Sequence, residues 1–362
     1  MTKFKNSTFV KFISFTLALI FILGAFSGCG KKEEPETTAP PTTAPVTAAP
    51  TTSPYLTGNI NPLTGEANYS EEILNNRPVM VSVENHKDAR PQWGIASADI
   101  VWEMVVEGGI TRMLLMYSDA SRLPDKIGPT RSARHYFVEL AEGFDAIFVH
   151  FGGSPKAYSA IKQQGTDDID GMYDGNTFSR DSSRSVSSEH RAYTTKDKVV
   201  AAIESKKFRT EIQEEYQNPF KFNSTAKALP GGKCTECVIP FSNYATYTYQ
   251  YNAEEKLYYS SLNGAAFMDD NGTQQNFTNI IICYVTVTSL GDSKGRVTFD
   301  MSEGSGKYIS NGTYQDITWK KGDYTDMLKL YDADGNELAL NAGRSYIALV
   351  PDSKEASTYI RS

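Results

Sequence analysis

Between about residues 60 and 215, short apolar runs alternate with stretches of helical period. "RPVMVSVEN" (77–85) and "ADIVWEMVVEGGITRMLLMYS" (98–118) read as strands, and "DAIFVHF" (145–151) as a buried strand. "SARHYFVELAEGF" (132–144) reads as an amphipathic helix, with Ala133, Phe137, Leu140, Ala141 and Phe144 as its apolar stripe. "SPKAYSAIKQQ" (154–164) predicts a second helix, capped by Ser154 with Pro155 in its first turn, and "TKDKVVAAIESKKF" (195–208) a third. A strand between two helices implies an α/β unit whose sheet is at least partly parallel and covered by helices.

From about residue 235 the pattern changes to β-branched and aromatic runs such as "NYATYTYQYN" (243–252), "NFTNIIICYVTVTS" (276–289), "GTYQDITWKK" (312–321) and "RSYIALVP" (344–351). Turn signals at Asn311-Gly312 and Asp334-Gly335 divide them. The expected fold class is therefore α+β: an N-terminal α/β domain (58–222) with a mixed sheet covered by helices, and a C-terminal mainly β domain (235–362), a sandwich or small barrel. Residues 223–234 are the expected hinge. "DADGN" (332–336) resembles a calcium loop but lacks its Gly and closing Glu, so it reads as a hairpin turn.

The first 57 residues follow different rules. Lys3, Lys5 and Lys11 precede the apolar run "FISFTLALIFILGAF", too short for a comfortable membrane span and ordered as a secretory signal. Ser27-Gly28-Cys29 resembles a bacterial lipobox, so residues 1–28 are the expected signal peptide and Cys29 the site of diacylglyceryl attachment, with an ordinary cleaved signal or an N-terminal anchor as the alternatives. Two acyl chains suffice for stable anchoring to a membrane. The Thr/Ala/Pro tract that follows, with the cysteine 29–57, has almost nothing to bury and reads as an extended tether. The expected location is the outer face of the cytoplasmic membrane.

Charge removes one function class. The chain carries 36 basic and 43 acidic residues, and loss of three lysines with the signal leaves 36 − 3 = 33 against 43, a net −10. A nucleic-acid partner needs the opposite bias. Cys234, Cys237 and Cys283 then remain, and Cys234-x-x-Cys237 is open between two plain thiols and a local disulfide. No G-x-S-x-G, H-E-x-x-H, Walker or Rossmann motif is present, so no cofactor is implied.

Candidate chemistry gathers in residues 100–193. A two-residue Gly108-Gly109 turn places Val105 opposite Arg112 and puts Glu103, Glu107 and Arg112 on one face of a hairpin, as either a ligand-facing triad or a solvated face. Arg131, Arg134 and His135 lie three or four apart at the start of the 132–144 helix, where an anion relieves the conflict between basic side chains and the helix dipole. Pairing with internal acids such as Glu139, Glu103 or Asp181 is the alternative. His150 ends a strand, and Gly152, Gly153 and Ser154 form a bend resembling a cradle of backbone donors. A polar stretch, "FSRDSSRSVSSEHRAY" (178–193), adds Arg180, Arg184, His190 and Arg191 as an expected lid or binding loop. Ser132 or Ser154 with His150 or His190 permits serine hydrolysis, although no spacing favours it.

At these residues the chain resembles the YerB-type lipoproteins of Gram-positive bacteria, through "RPVMVSVENHKDARPQWGIASADIVWEMVVEGGITR", "IGPTRSARHYFVELAEGFDAIFVHFGGSP" and "ITWKKGDYTDMLKLYDADGNELALNAGRSYIALVP". The resemblance covers nearly everything beyond the tether and implies a lipid-anchored, extracytoplasmic two-domain protein; it brings no activity. The family pattern has Pro-His-Asn where Glu189-His190-Arg191 stands here. "GPTR" (128–131) is also similar to a Pro-x-Arg element of the LytR-CpsA-Psr phosphotransferases.

Three functions follow as expectations. The first is binding of an anionic cell-envelope ligand, a glycan or phosphate bearer, through Arg112, Arg131, Arg134 and the His150–Ser154 bend. The second is a metal-dependent phosphotransferase or hydrolase using Glu103 or Glu107. The third is a scaffold holding an envelope protein partner through Tyr244, Tyr247, Tyr249 and Tyr251.

Overall fold

A computed structural model describes residues 55–362; the signal segment, Cys29 and the tether up to residue 54 lie outside the described residues. The fold is α+β, with a mixed N-terminal sheet covered by helices and a mainly antiparallel C-terminal part. Among the described residues, no helix is long and apolar enough to cross a membrane.

The N-terminal strands are β1 (Val79–Glu84), β2 (Ile100–Val105), β3 (Thr111–Tyr117), β4 (Ile147–His150) and β5 (Asp168–Asp170). β3 pairs antiparallel with both β1 and β2, while β1, β4 and β5 run parallel. β1 to β4 are buried at every position, as expected of strands covered on both faces. Three helices, α1 (His135–Glu142), α2 (Pro155–Gln164) and α3 (Lys196–Lys206), form where the apolar period predicts them. Ser154 Oγ caps α2 by accepting from the Ala157 amide at 3.2 Å, and Gly165 ends that helix in the left-handed conformation.

The C-terminal strands divide between two sheets, one of them shared with the N-terminal part. Ser345–Pro351 lies parallel to β2 on one side and to Asn279–Ser289 on the other, making one twelve-stranded sheet from both halves of the chain. A six-stranded antiparallel sheet, including Glu236–Pro240, Thr246–Asn252 and Leu257–Leu262, supplies Tyr247 and Tyr249, which pack on Tyr346 of the large sheet at 5.9 and 5.1 Å between centroids. Helix α1 covers the opposite face, where Phe144 meets Trp102 edge-on at 5.6 Å. The expected hinge is bonded along its length: Asn223 to Leu340, Lys227 to Asn341, Leu229 to Thr313, and Gly232–Lys233 as a short strand against Thr313–Tyr314. Asn311-Gly312 makes the expected tight hairpin, both residues at positive φ, and Asp332 Oδ1 accepts from the Asp334 and Asn336 amides in the expected 332–336 turn.

The β2–β3 hairpin corrects the expected register. Glu103 stands opposite Met113 and Met104 opposite Arg112, because residues Glu107–Gly109 form a three-residue loop closed by the Val106 amide on Ile110 O at 2.8 Å. A shift of one residue exchanges faces. Glu103 therefore points to the six-stranded sheet and Arg112 to the helical side, so the Glu103–Glu107–Arg112 triad does not form, and neither face of the hairpin is solvated.

Candidate functional site at the carboxyl ends of β1, β4 and β5

β1 ends on Glu84, whose amide donates to Pro129 O, while the Arg131 amide donates to Ser82 O. These two bonds lay the 129–131 segment along the end of the strand, so Arg131 precedes α1 rather than sitting in its first turn. Arg134, at the N-cap, and His135, the first residue of α1, are at the helix start.

Arg131 is held by two carboxylates: Nε donates to Glu84 at 3.1 Å and Nη2 to Glu189 at 2.8 Å. Glu84 also accepts from His190 Nδ1 at 2.9 Å, and His190 Nε2 lies 3.7 Å from Glu189. Three separate stretches, contributing Glu84, Arg131 and the Glu189-His190 pair, thus close a ring. The hydrogen bond and charge of Arg131 hold the Glu189 carboxyl below its ordinary value.

A second cluster lies at the start of α1. Arg134 grips Glu107 with two bonds, at 2.7 and 2.6 Å, and donates to Ala133 O. Arg112 is buried and donates to Ser132 O at 2.5 Å, and among the described residues its Nε has no partner. Burial, and next the charge of Arg134, push the Arg112 guanidinium down from its ordinary value. The acids that answer the arginines are Glu84, Glu107 and Glu189, not Glu139, Glu103 or Asp181.

His150 is wholly buried, with Nδ1 donating to Gly152 O at 2.8 Å and Nε2 at 3.1 Å from Asp168. Gly152 gives its amide to Asp170 at 2.6 Å, and Ser154 gives its amide to Ala133 O. The bend is therefore not an open cradle of donors: an internal carboxylate takes the place an outside anion was expected to fill. The geometry likewise leaves neither serine beside a histidine base, since Ser154 caps α2 and the hydrogen-bonding nitrogens of His150 and His190 go to other residues.

What opens to solvent is a cleft of about 500 Å³ between these loops. Arg131, Ser132, Gly152 and Gly153 line one side; Phe151, Tyr158, Met172, Tyr173, Arg180 and Glu189 complete it. Tyr158 donates to Asp170 at 2.9 Å, whereas Met172 and Tyr173 are 62% and 79% exposed, unusual for side chains of their size. The Arg180 guanidinium lies 4.9 Å over the Phe151 ring and donates to Ser188 O; among the described residues it pairs with no carboxylate. Arg184 pins the same loop down, lying 3.5 Å over Trp93 and bonding Ala89 O, Pro91 O and Asp270. Of the expected site residues, Arg131, Ser132, Gly152 and Gly153 meet in this cleft. Glu103, Glu107, Arg112, Arg134, His150, Ser154 and His190 do not line it.

Cys234, Cys237 and Cys283 are buried and not joined by a disulfide, and burial pushes the Cys234 thiol up to about 11. Tyr247 and Tyr249 are core residues, while Tyr244 is 65% exposed.

Residues 63–209 match the N-terminal domain, and residues 237–347 the C-terminal domain, of a protein family of unknown function, DUF3048. The chain is also 35% identical over 303 residues to "Putative lipoprotein YerB" of Bacillus subtilis (strain 168), covering 82% of this chain and 87% of that one. The chain belongs to the DUF3048 family. The crystal structure of YerB protein from Bacillus subtilis superimposes with a TM-score of 0.73 at 31% identity, across 83% of this chain and 99% of that one. DUF3048 thus names a pair of consecutive domains, and in this member both contribute strands to one sheet.

Proposed function

We propose that this DUF3048 protein is a lipid-anchored, extracytoplasmic binding protein whose cleft beyond β1, β4 and β5 takes an anionic cell-envelope ligand, a glycan bearing phosphate or carboxylate. The observation that carries this is Arg180: a guanidinium in the cleft with no carboxylate partner among the described residues, beside aromatic rings suited to a sugar face. Arg131 adds a second positive charge, and among the described residues the one acid in the lining is Glu189, half exposed. The carboxyl ends of parallel strands are where α/β sheets gather ligands. The anchor is supported by Ser27-Gly28-Cys29 and by the lipoprotein name of the Bacillus subtilis relative. A phosphotransferase working through an ion at Glu103 or Glu107 has less support, because Glu103 is buried under the second sheet and Glu107 is bonded to Arg134.

Calorimetric titration of the full-length protein with phosphorylated glycans, muropeptides and nucleotides tests the reading. Saturable binding of one class is expected, weakened about tenfold or more by Arg180→Ala, on the ~1.4 kcal/mol or more that a charged hydrogen bond contributes. Absence of binding to all three, or identical affinity in Arg180→Ala, sinks it.

A further inference from the structure

Beside the cleft, two stretches distant in sequence bring two histidines together. His86 and His190 stack with ring centroids 4.7 Å apart and planes inclined by 12°. Each ring has a carboxylate next to it: His86 Nδ1 lies 3.6 Å from Asp88 Oδ2, and His190 Nε2 lies 3.7 Å from Glu189 Oε1. One ligand atom from each of His86, Asp88 and His190 falls within 4.8 Å of the others. We propose that His86, Asp88 and His190, with Glu189, bind a divalent transition-metal ion of the Zn²⁺ type.

Bond lengths of about 2.0–2.2 Å to nitrogen and oxygen place neighbouring donors of a tetrahedral ion roughly 3.4 Å apart. Each nitrogen–oxygen pair is already near that spacing, so closure brings one pair toward the other rather than rebuilding either. His190 is prepared for the role, because Glu84 accepts from its Nδ1 at 2.9 Å and fixes Nε2 as the free nitrogen, the carboxylate–histidine arrangement that orients metal ligands. His86 is the mobile partner. Its Nδ1 accepts a long 3.3 Å bond from the Asp88 amide, its side chain is partly exposed, and it leaves the stack on binding, since an ion lies in the plane of each imidazole that holds it. Two imidazoles and two carboxylates suit Zn²⁺; Ca²⁺ and Mg²⁺ prefer oxygen donors alone. Glu189 Oε2 meanwhile stays on Arg131 at 2.8 Å, so the ion sits one carboxylate away from the cleft. Glu189 is shared between the ion and the cleft, whereas His86, Asp88 and His190 do not line the cleft.

Untagged full-length protein titrated with Zn²⁺ in a calorimeter, and with Co²⁺ followed by visible absorption, gives the test. One ion per chain is expected, with the intense absorption of tetrahedral Co²⁺. His86→Ala and Asp88→Asn, both at the surface and verified as folded by circular dichroism, lower Zn²⁺ affinity roughly tenfold or more. His135→Ala, whose ring is bonded to Thr298 elsewhere, leaves it unchanged. No saturable binding by the wild type, or binding that both surface variants retain in full, overturns the site.

Discussion

Glu84 and Arg131 meet at 3.1 Å at the carboxyl end of β1, the carboxylate 2% exposed and the guanidinium 25% exposed. Because Glu84 also accepts a hydrogen bond from His190, its removal leaves two donors facing each other without an acceptor between them. Glu84→Ala is expected to cost about 3–5 kcal/mol and Arg131→Ala less, since Arg131 reaches solvent. The double variant should cost clearly less than the sum, read from urea midpoints in a double-mutant cycle. Additive costs refute the coupling.

Local physics was legible in the sequence, and long-range pairing was not. The stripe from Phe137 to Phe144, the Ser154 cap and the Asn311-Gly312 turn each depend on residues within a turn or two of one another, and each is found where it was expected. Glu103 and Arg112 were misplaced because Gly108-Gly109 looks like a complete two-residue turn, whereas Glu107 joins the loop and shifts the register by one. The partners of Arg131 lie 47 and 58 positions away, and Ser345–Pro351 enters beside β2 from the far end of the chain. No local period encodes such pairings. Arg180 is visible in the sequence as a charge in a polar loop, but only the fold shows that it pairs with no acid among the described residues.

Glu103 offers a pH test. Burial raises its carboxyl above the ordinary value of 4.5 despite hydrogen bonds that include Asn85 and Tyr346. A raised folded value means that its contribution is fully present below 4.5 and is lost as pH climbs through the folded value. Glu103→Gln keeps the shape without the charge, so its stability relative to wild type should rise as pH climbs above 4.5, measured by urea unfolding. A difference that stays constant as pH climbs above 4.5 contradicts a raised Glu103 carboxyl.

Arg134 and Glu107 run the opposite way. Burial opposes ionisation of Glu107, but the hydrogen bonds and charge of Arg134 outweigh it and lower the carboxyl below 4.5. Stability from the pair is therefore present above that value and is lost as pH falls through the lower, folded one. Arg134→Lys forfeits the two-pronged grip and should cost about 1–2 kcal/mol at neutral pH. That deficit should shrink in acid as the carboxyl protonates. Thermal melts of both proteins from neutral pH into acid provide the check, and a deficit that holds its size in acid assigns the loss to packing instead.

Gly306 marks a close approach within the large sheet. It stands opposite Cys283 on Asn279–Ser289 and opposite Ile317 on Thr313–Lys320, so both sides of its strand are occupied. A Cβ at this position would lie 2.1 Å from the Ile282 carbonyl oxygen, backbone that cannot retreat without breaking a ladder whose residues Ile280–Cys283 are all buried. Gly306→Ala is expected to destabilise by about 3 kcal/mol, at the upper end of what an added methyl costs in a packed interior. Gly175→Ala is the matched control, because nothing lies within 4 Å of its Cβ, and it should change stability by no more than about 0.5 kcal/mol. If chemical denaturation gave the two variants the same midpoint, the sheet would have to be more compliant at Gly306 than its packing allows.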